Sequence, residues 1–305
     1  GLVGSEMCIR DSSDRQAYNR LLASGERLSA LVIAHAMSIR GFDAHPLGSE
    51  DIGLQLNGEG TATRVNLAGS KRKLDRSAFH GVPVVTGWFG EGTDGNIALL
   101  GRGGSDHTAT ALAALLQAQR VVLWKDVLGI YPVNPRWGVQ SAPIPYLGYA
   151  EAIEFSNADA TILHPATVEP VYEMGIPIEI RHLSRYKDNG LKTVIGPDIE
   201  AEPNIKGIAC VPRVACVNAE VRYVQDAALE LSDLLQELNE AGIRICSFET
   251  TNTQWRFVFP QHEVSRGVQI IKKRCAVVDY EYFAAMLSFI GCRDIAYLKE
   301  KLTRY

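Results

Sequence analysis

The sequence lacks any apolar stretch long enough to span a bilayer, which excludes a membrane-crossing helix. It lacks an excess of charge of either sign. Thirty-one Lys and Arg stand against 35 Asp and Glu, a formal net charge of −4, so neither a nucleic-acid nor an anionic-membrane surface is expected. Cysteine is sparse. The six cysteines, at 8, 210, 216, 246, 275 and 292, form no CxxC pair, and the seven histidines do not cluster with them. A structural zinc site is therefore not expected, and no metal-ligand set is read from the sequence. A chain of this size without a secretory signal is expected to keep reduced, mostly buried thiols in the cytoplasm.

What is present is ordinary globular composition, 46% hydrophobic and 22% charged over 305 residues. That length suits one large domain and a small one. Residues 1–12, GLVGSEMCIRDS, have no periodicity and resemble a translated sequencing adapter, so they are set aside as an artefact. On that reading the natural N-terminus is missing.

From residue 14 to 40 the pattern is helical, with Leu28, Leu31, Val32 and Ala36 on one face and Gly41 as the stop. PVVTG, RVVLW and IPIEIRHL read as strands, and LGYAEAIEFSNA and ATILHPATVEPVYEMG as helices. Strands and helices alternate, which predicts an α/β domain built on a mostly parallel sheet with helices on both faces. The polar, Gly- and Pro-containing stretch from 183 to 207 breaks this rhythm and reads as a boundary. Beyond it come a strand (IACVPRVACVNAEV), an amphipathic helix (AALELSDLLQELNEAG), a hairpin (IRICSFET and QWRFVFP), a short helix (VSRGVQIIKK) and a last strand (RCAVV). That order is the ferredoxin-like unit. The final CRDIAYLKEKLTRY reads as helix.

GRGGSDHTAT, residues 101–110, joins an apolar run to a helical one. It matches neither the GxGxxG fingerprint nor GxxxxGK[ST]. Its glycines and the following helix start could hold an anion, with Arg102 adding a planar donor fork. Ser105 or Asp106 could equally serve only to cap the helix.

The wider context bears on that choice. VPVVTGWFGEGTDGNIALLGRGGSDHTATALAALL, LWKDVLGIYPVNPR, ILHPATVEPVYEMGIPIEIR and SGERLSA resemble four blocks of the aspartate kinases, members of the amino-acid kinase fold. The resemblance implies a three-layer amino-acid kinase fold at 13–183, a linker at 184–206 and a ferredoxin-like α+β ACT regulatory region at 207–305. It implies transfer of the γ-phosphoryl group of ATP, with Mg2+, to the 4-carboxylate of L-aspartate. This opens lysine, threonine, methionine and diaminopimelate biosynthesis. Feedback would come from lysine or threonine at the ACT region, through which a homodimer would also form.

Carried over by position, the resemblance gives Arg102 the carboxylate of the amino acid, with Ser105 in the same turn. Asp106 lies near the transferring group, and Glu26 holds the ammonium. Lys125, Asp126, Tyr131 and Arg136 fall on the nucleotide contacts. Two departures stand out. The KFGGTS-like lysine turn that opens the family's catalytic domain does not occur. In addition Thr161 in DATILHP replaces a lysine that often touches the nucleotide. These departures keep two alternatives open, an inactive amino-acid-binding regulatory subunit and a kinase for another amino acid; the chain by itself would be inactive. His164 is read as a packing or capping residue, since phosphoryl transfer needs no imidazole base.

Overall fold

A computed structural model describes residues 15–58, 63–157, 163–185, 191–199, 205–222, 224–292 and 298. Contacts divide the chain into two units. Gly1–Ile130, Pro143–Ile153 and Ile162–Ile199 form the first; Tyr131–Ala142, Glu154–Thr161 and Glu200–Tyr305 form the second.

The first unit opens with a 25-residue helix, α1 (Arg15–Ile39), which buries Ala23, Ala30 and Ala34. Small residues seven and four apart share one helical face, so they let the helix lie close on its neighbours. Asn19 on that side donates to the carbonyl of Ile97 at 2.7 Å. Strand β1 (Ala44–Leu47) follows, then β2 (Leu56–Asn57), β3 (Arg64–Val65) and α2 (Leu67–Lys73). The Asn66 side chain caps α2 by accepting from the Gly69 N–H. Next come β4 (Val82–Val85), β5 (Phe89–Glu91) and β6 (Ile97–Leu99). β4 pairs with β1 in parallel, Ala44 opposite Val82, whereas β5 and β6 form an antiparallel hairpin.

Helix α3 (Gly104–Leu116) leads into β7 (Val121–Lys125), β8 (Tyr146–Gly148), α4 (Tyr149–Asn157), α5 (Glu169–Tyr172), β9 (Ile178–His182) and β10 (Thr193–Gly196). The four strands form one mixed sheet in the order β7-β9-β10-β8, with β7 parallel to β9, β10 antiparallel to β9 and β10 parallel to β8. α3 buries Ala111, Ala113, Ala114 and Leu115, and the nearby core gathers Ile52, Leu54, Leu56, Val65 and Leu100.

The second unit contains β11 (Gly207–Val221), α6 (Ala227–Glu240), β12 (Ser247–Thr250), β13 (Gln254–Pro260), α7 (Val264–Ile271) and β14 (Cys275–Ile290). Its sheet runs β12-β13-β11-β14 with every neighbour antiparallel. This is the ferredoxin-like topology that the order of elements predicts. Ala215, Val217 and Ala219 from β11 meet Leu234 and Leu238 of α6 and Trp255, Phe257 and Phe259 of β13 in one core. Gly242, at φ +67°, provides the left-handed residue just beyond the end of α6.

Four expectations change. The stretch 184–206 contains β10, an interior strand of the first unit's sheet. Its polar, Gly-containing flanks conceal four residues that pair with neighbouring β9 on one side and with the more distant β8 on the other. The segment 160–175, read as one helix, gives only a short 3-10 turn at Pro165–Thr167 and the four-residue α5 among its described residues, because Pro165 and Pro170 interrupt it. The last strand runs to Ile290, well past RCAVV. Of the described cysteines, only Cys275 is buried; Cys210, Cys216, Cys246 and Cys292 are half-buried. Residues 1–12 and most of the C-terminal segment read as helix lie outside the described residues.

Candidate active site

The turn at 101–104 positions the site. Gly103 adopts φ +74° as the N-cap of α3, and no side chain caps the helix. A Cβ at Gly103 would meet the Cβ of His164 at 2.5 Å; one at Gly104 would meet Leu100 Cβ at 2.5 Å and Trp88 Cδ1 at 2.7 Å. Only glycine therefore fits both positions, and the backbone closes tightly before α3 begins. Ser105 and Asp106 lie inside the first turn, so neither acts as the cap. The Gly104 N–H is spent on the Gly101 carbonyl at 3.1 Å, and the start of α3 directs its partial positive charge at whatever lies before it.

Before it is a cleft of about 580 Å³ whose walls include Glu26, Arg102, Ser105, Asp106, Lys125 and Trp88. Five residues assigned separately from the sequence thus converge. α1 delivers Glu26, the glycine turn delivers Arg102, α3 delivers Ser105 and Asp106, and the end of β7 delivers Lys125. Lys125 Nζ donates to Asp106 Oδ2 at 2.5 Å, and both side chains are mostly buried. Placed by sequence with the nucleotide loop, Lys125 here neutralises Asp106. The side chains of Glu26 and Arg102 make no hydrogen bond or ion pair among the described residues. The cleft therefore offers one uncommitted anion, one uncommitted cation and a neutralised pair.

Trp88 was not foreseen. It lines the cleft at φ +73°, a costly backbone region for so bulky a residue. Its N–H donates to Thr108 Oγ1 (3.1 Å) and its carbonyl accepts from the Leu100 N–H (2.7 Å), which holds it against α3. The signal lay in TGWFG, a tryptophan set between two glycines.

Arg27, next to Glu26, turns away from the cleft. It pairs with Glu50 through Nε (3.0 Å) and lies over the Phe89 ring at 5.1 Å, so α1 is tied to the loop before β2. Two histidines support the glycine turn. His107 is buried: it accepts from the Val65 N–H through Nε2 (3.0 Å) and donates from Nδ1 to the Ala166 carbonyl (2.5 Å). Burial pushes its pKa below the ordinary value, which favours the neutral ring. His164 accepts from the Ala166 N–H through Nδ1 (3.3 Å) and so caps the turn at Pro165–Thr167. Burial, with Arg64 and Arg102 nearby, also lowers its pKa.

Of the residues assigned to the nucleotide, Asp126 is exposed just past β7. Tyr131 and Arg136 fall in 131–142, which groups with the second unit; Arg136 is exposed there, in a 3-10 turn capped by Asn134. Thr161 lies outside the described residues. Among the described residues no three His, Cys, Asp or Glu side chains gather as a metal site, and no helix is long and apolar enough to cross a membrane.

Fold and cleft together define an α/β domain with a glycine-turn, helix-start site for anions, followed by a ferredoxin-like unit. The chain belongs to the amino acid kinase family, whose model matches residues 5–182. It is 28% identical over 300 residues to an aspartokinase of Geobacillus stearothermophilus, covering 95% of this chain and 72% of the relative. An aspartokinase of Bacillus sp. (strain MGA3) is 31% identical over 278 residues, 88% of this chain and 66% of its own. E. coli aspartokinase III, solved in complex with aspartate and ADP (R-state), shares the fold at a TM-score of 0.71 and 23% identity, over 88% of this chain and 62% of that one. The same enzyme solved with lysine and aspartate (T-state) gives a TM-score of 0.65. The chain thus spans roughly two thirds of the length of these three relatives.

Proposed function

We propose that this chain is part of an aspartate kinase, which transfers the γ-phosphoryl group of ATP to the side-chain carboxylate of L-aspartate. The observation that carries the reading is the uncommitted pair in one cleft, Arg102 and Glu26. A zwitterionic amino acid presents a carboxylate and an ammonium, and these two side chains complement it. Arg102 grips a carboxylate with its donor fork, and Glu26 balances the ammonium. Aspartate then leaves its second carboxylate toward the start of α3. Phosphoryl transfer to it needs positioning and charge neutralisation above all. Ser105, the positive end of α3 and Lys125 supply stabilisation, and Asp106 fixes Lys125 in place.

The nucleotide falls to Asp126, Tyr131, Arg136 and Thr161 on this reading. Mg2+ is carried on the phosphates, because the described residues hold no ready-made ligand set and this ion characteristically keeps only one or two protein carboxylates. Asp106 is the carboxylate at hand. The second unit acts as an ACT regulatory domain that takes an amino-acid effector, lysine being the one named for E. coli aspartokinase III. Its long edge strand β14 exposes Tyr280, Tyr282, Phe283 and Leu287, which suits pairing with a second copy.

The test is steady-state kinetics on the full-length protein. Arg102→Lys removes the fork, and a lost charge-assisted pair of roughly 1.5–3 kcal/mol raises the KM for aspartate about 10- to 150-fold. Asp106→Asn lowers kcat with a smaller change in KM. An unchanged aspartate KM in Arg102→Lys, or turnover of glutamate with aspartate inert, overturns the reading.

A further inference from the structure

Trp88 is held in the cleft wall against a local cost. At φ +73° its backbone occupies a region that glycine takes freely and a bulky residue rarely does. A short chain of bonds ties it to the first turn of α3. Its backbone N–H donates to Thr108 Oγ1, and that hydroxyl donates in turn to the Gly104 carbonyl at 2.9 Å. The indole gains no polar partner from this arrangement. Its N–H meets no acceptor among the described residues, and the nitrogen is not closed off from solvent. A buried tryptophan N–H ordinarily finds an acceptor within the protein, so this one is free to serve a ligand. Its place follows from the packing. A Cβ at Gly104 would meet Trp88 Cδ1 at 2.7 Å, so the ring edge that carries Cδ1, and the Nε1 bonded to it, lies against the start of α3. Apart from Leu100, which is only 3% exposed, Trp88 is the one apolar side chain among the described residues that line the cleft.

We propose that the Trp88 indole N–H binds the side-chain carboxylate of the acceptor amino acid, the group that takes the phosphoryl. The inference rests on the aspartate-kinase reading above, in which Arg102 and Glu26 hold one carboxylate and the ammonium and leave the second carboxylate toward the start of α3. A neutral donor suits that second carboxylate. It has no proton to remove. One of its oxygens forms the bond to the γ-phosphorus, the bond from that phosphorus to the bridging oxygen breaks, and the electron pair leaves with ADP. The attacking oxygen must keep its negative charge until then. The indole N–H fixes the other oxygen and so orients the pair. Having no charge of its own, it draws less density from the attacking oxygen than a further ammonium would. The costly turn at Trp88 then has a use, which is to set this donor in place before the substrate arrives.

Two measurements on the full-length protein test this. The first is proton–nitrogen NMR of the isotope-labelled wild type. The Trp88 indole signal is identified by its loss in Trp88→Phe, or, if that variant does not fold, in Trp88→Gly, whose backbone accepts φ +73° freely. Saturating L-aspartate should move the signal downfield. L-α-aminobutyrate keeps the ammonium and the first carboxylate but lacks the second, so it should leave the signal in place. The second measurement is kinetic. Trp88→Phe keeps an aromatic wall and removes the N–H, so kcat/KM for aspartate should fall about 10- to 150-fold, as for a lost hydrogen bond to a charged group. The KM for ATP and the melting temperature should stay near the wild-type values. A signal that aspartate leaves unmoved, in a wild type that turns aspartate over, overturns this inference and leaves the kinase reading standing. So does a signal moved equally by both amino acids, or a Trp88→Phe enzyme with wild-type kcat/KM. A wild type inert toward aspartate overturns both.

Discussion

At the scale of single residues, the site depends on two kinds of group. Some must be small and some must stay neutral. Gly103 is small of necessity, being left-handed and pressed against His164. Gly103→Ala should cost at least about 1–3 kcal/mol of stability and displace the start of α3, read as a lower urea midpoint. A variant as stable as the wild type would show that the turn tolerates a side chain. His107 must stay neutral. Burial holds its pKa below the unfolded value near 6.5, so the unfolded chain takes up that proton first as pH falls. The stability from this residue is complete above about pH 6.5 and is lost as the pH drops toward the lower folded value. Melting temperatures measured from about pH 5 to 7.5 should fall less steeply in His107→Gln than in the wild type. Parallel slopes would place the titration elsewhere.

Among the elements, β10 is the instructive one. Thr193 is fully buried and its hydroxyl makes two bonds, accepting from the Ile130 N–H (2.9 Å) and donating to the Ile144 carbonyl (2.7 Å). One side chain thus satisfies the backbone at both flanks of the loop that groups with the second unit. Thr193→Val keeps the shape and removes both bonds, leaving two buried backbone groups unpaired at about 1–3 kcal/mol each. Thr193→Ser should be much less destabilising in a denaturant titration; equal destabilisation by both would mean that packing of the methyl group matters as much as the two bonds. The sequence concealed this strand because TVIG is short and flanked by glycines and charges. By contrast α1, α3 and α6 were legible from their 3.6-residue periodicity, which requires no distant partner.

For the molecule as a whole, two units have separate cores. Leu234 and Leu238 are fully buried in the ferredoxin-like unit and share no core with α3 or the cleft. Leu234→Ala should therefore cost about 2–5 kcal/mol in that unit alone. Calorimetry should resolve two transitions, of which the substitution lowers one. A single transition shifting as a whole would show that the units unfold together. Separate cores let each unit keep its own packing, which the proposed regulation needs.

Local chemistry was enough to reveal the alternating α/β order, the βαββαβ succession and the glycine turn before α3, because periodicity and turn composition are properties of neighbouring residues. In that turn it singled out Arg102, Ser105 and Asp106; Glu26 and Lys125 came only from the resemblance to the aspartate kinases, beyond what local chemistry shows. It could not show that these five share one cleft, or that Lys125 is spent on Asp106 while Arg102 and Glu26 stay uncommitted. Nor could it show that Trp88 forms a wall, or that the leucines of α1 face outward while its alanines are buried. A hydrophobic stripe in sequence says only that a face exists. Which face packs, and which charge finds a partner, depends on contacts between residues far apart in the chain, and those exist only once the tertiary structure has formed.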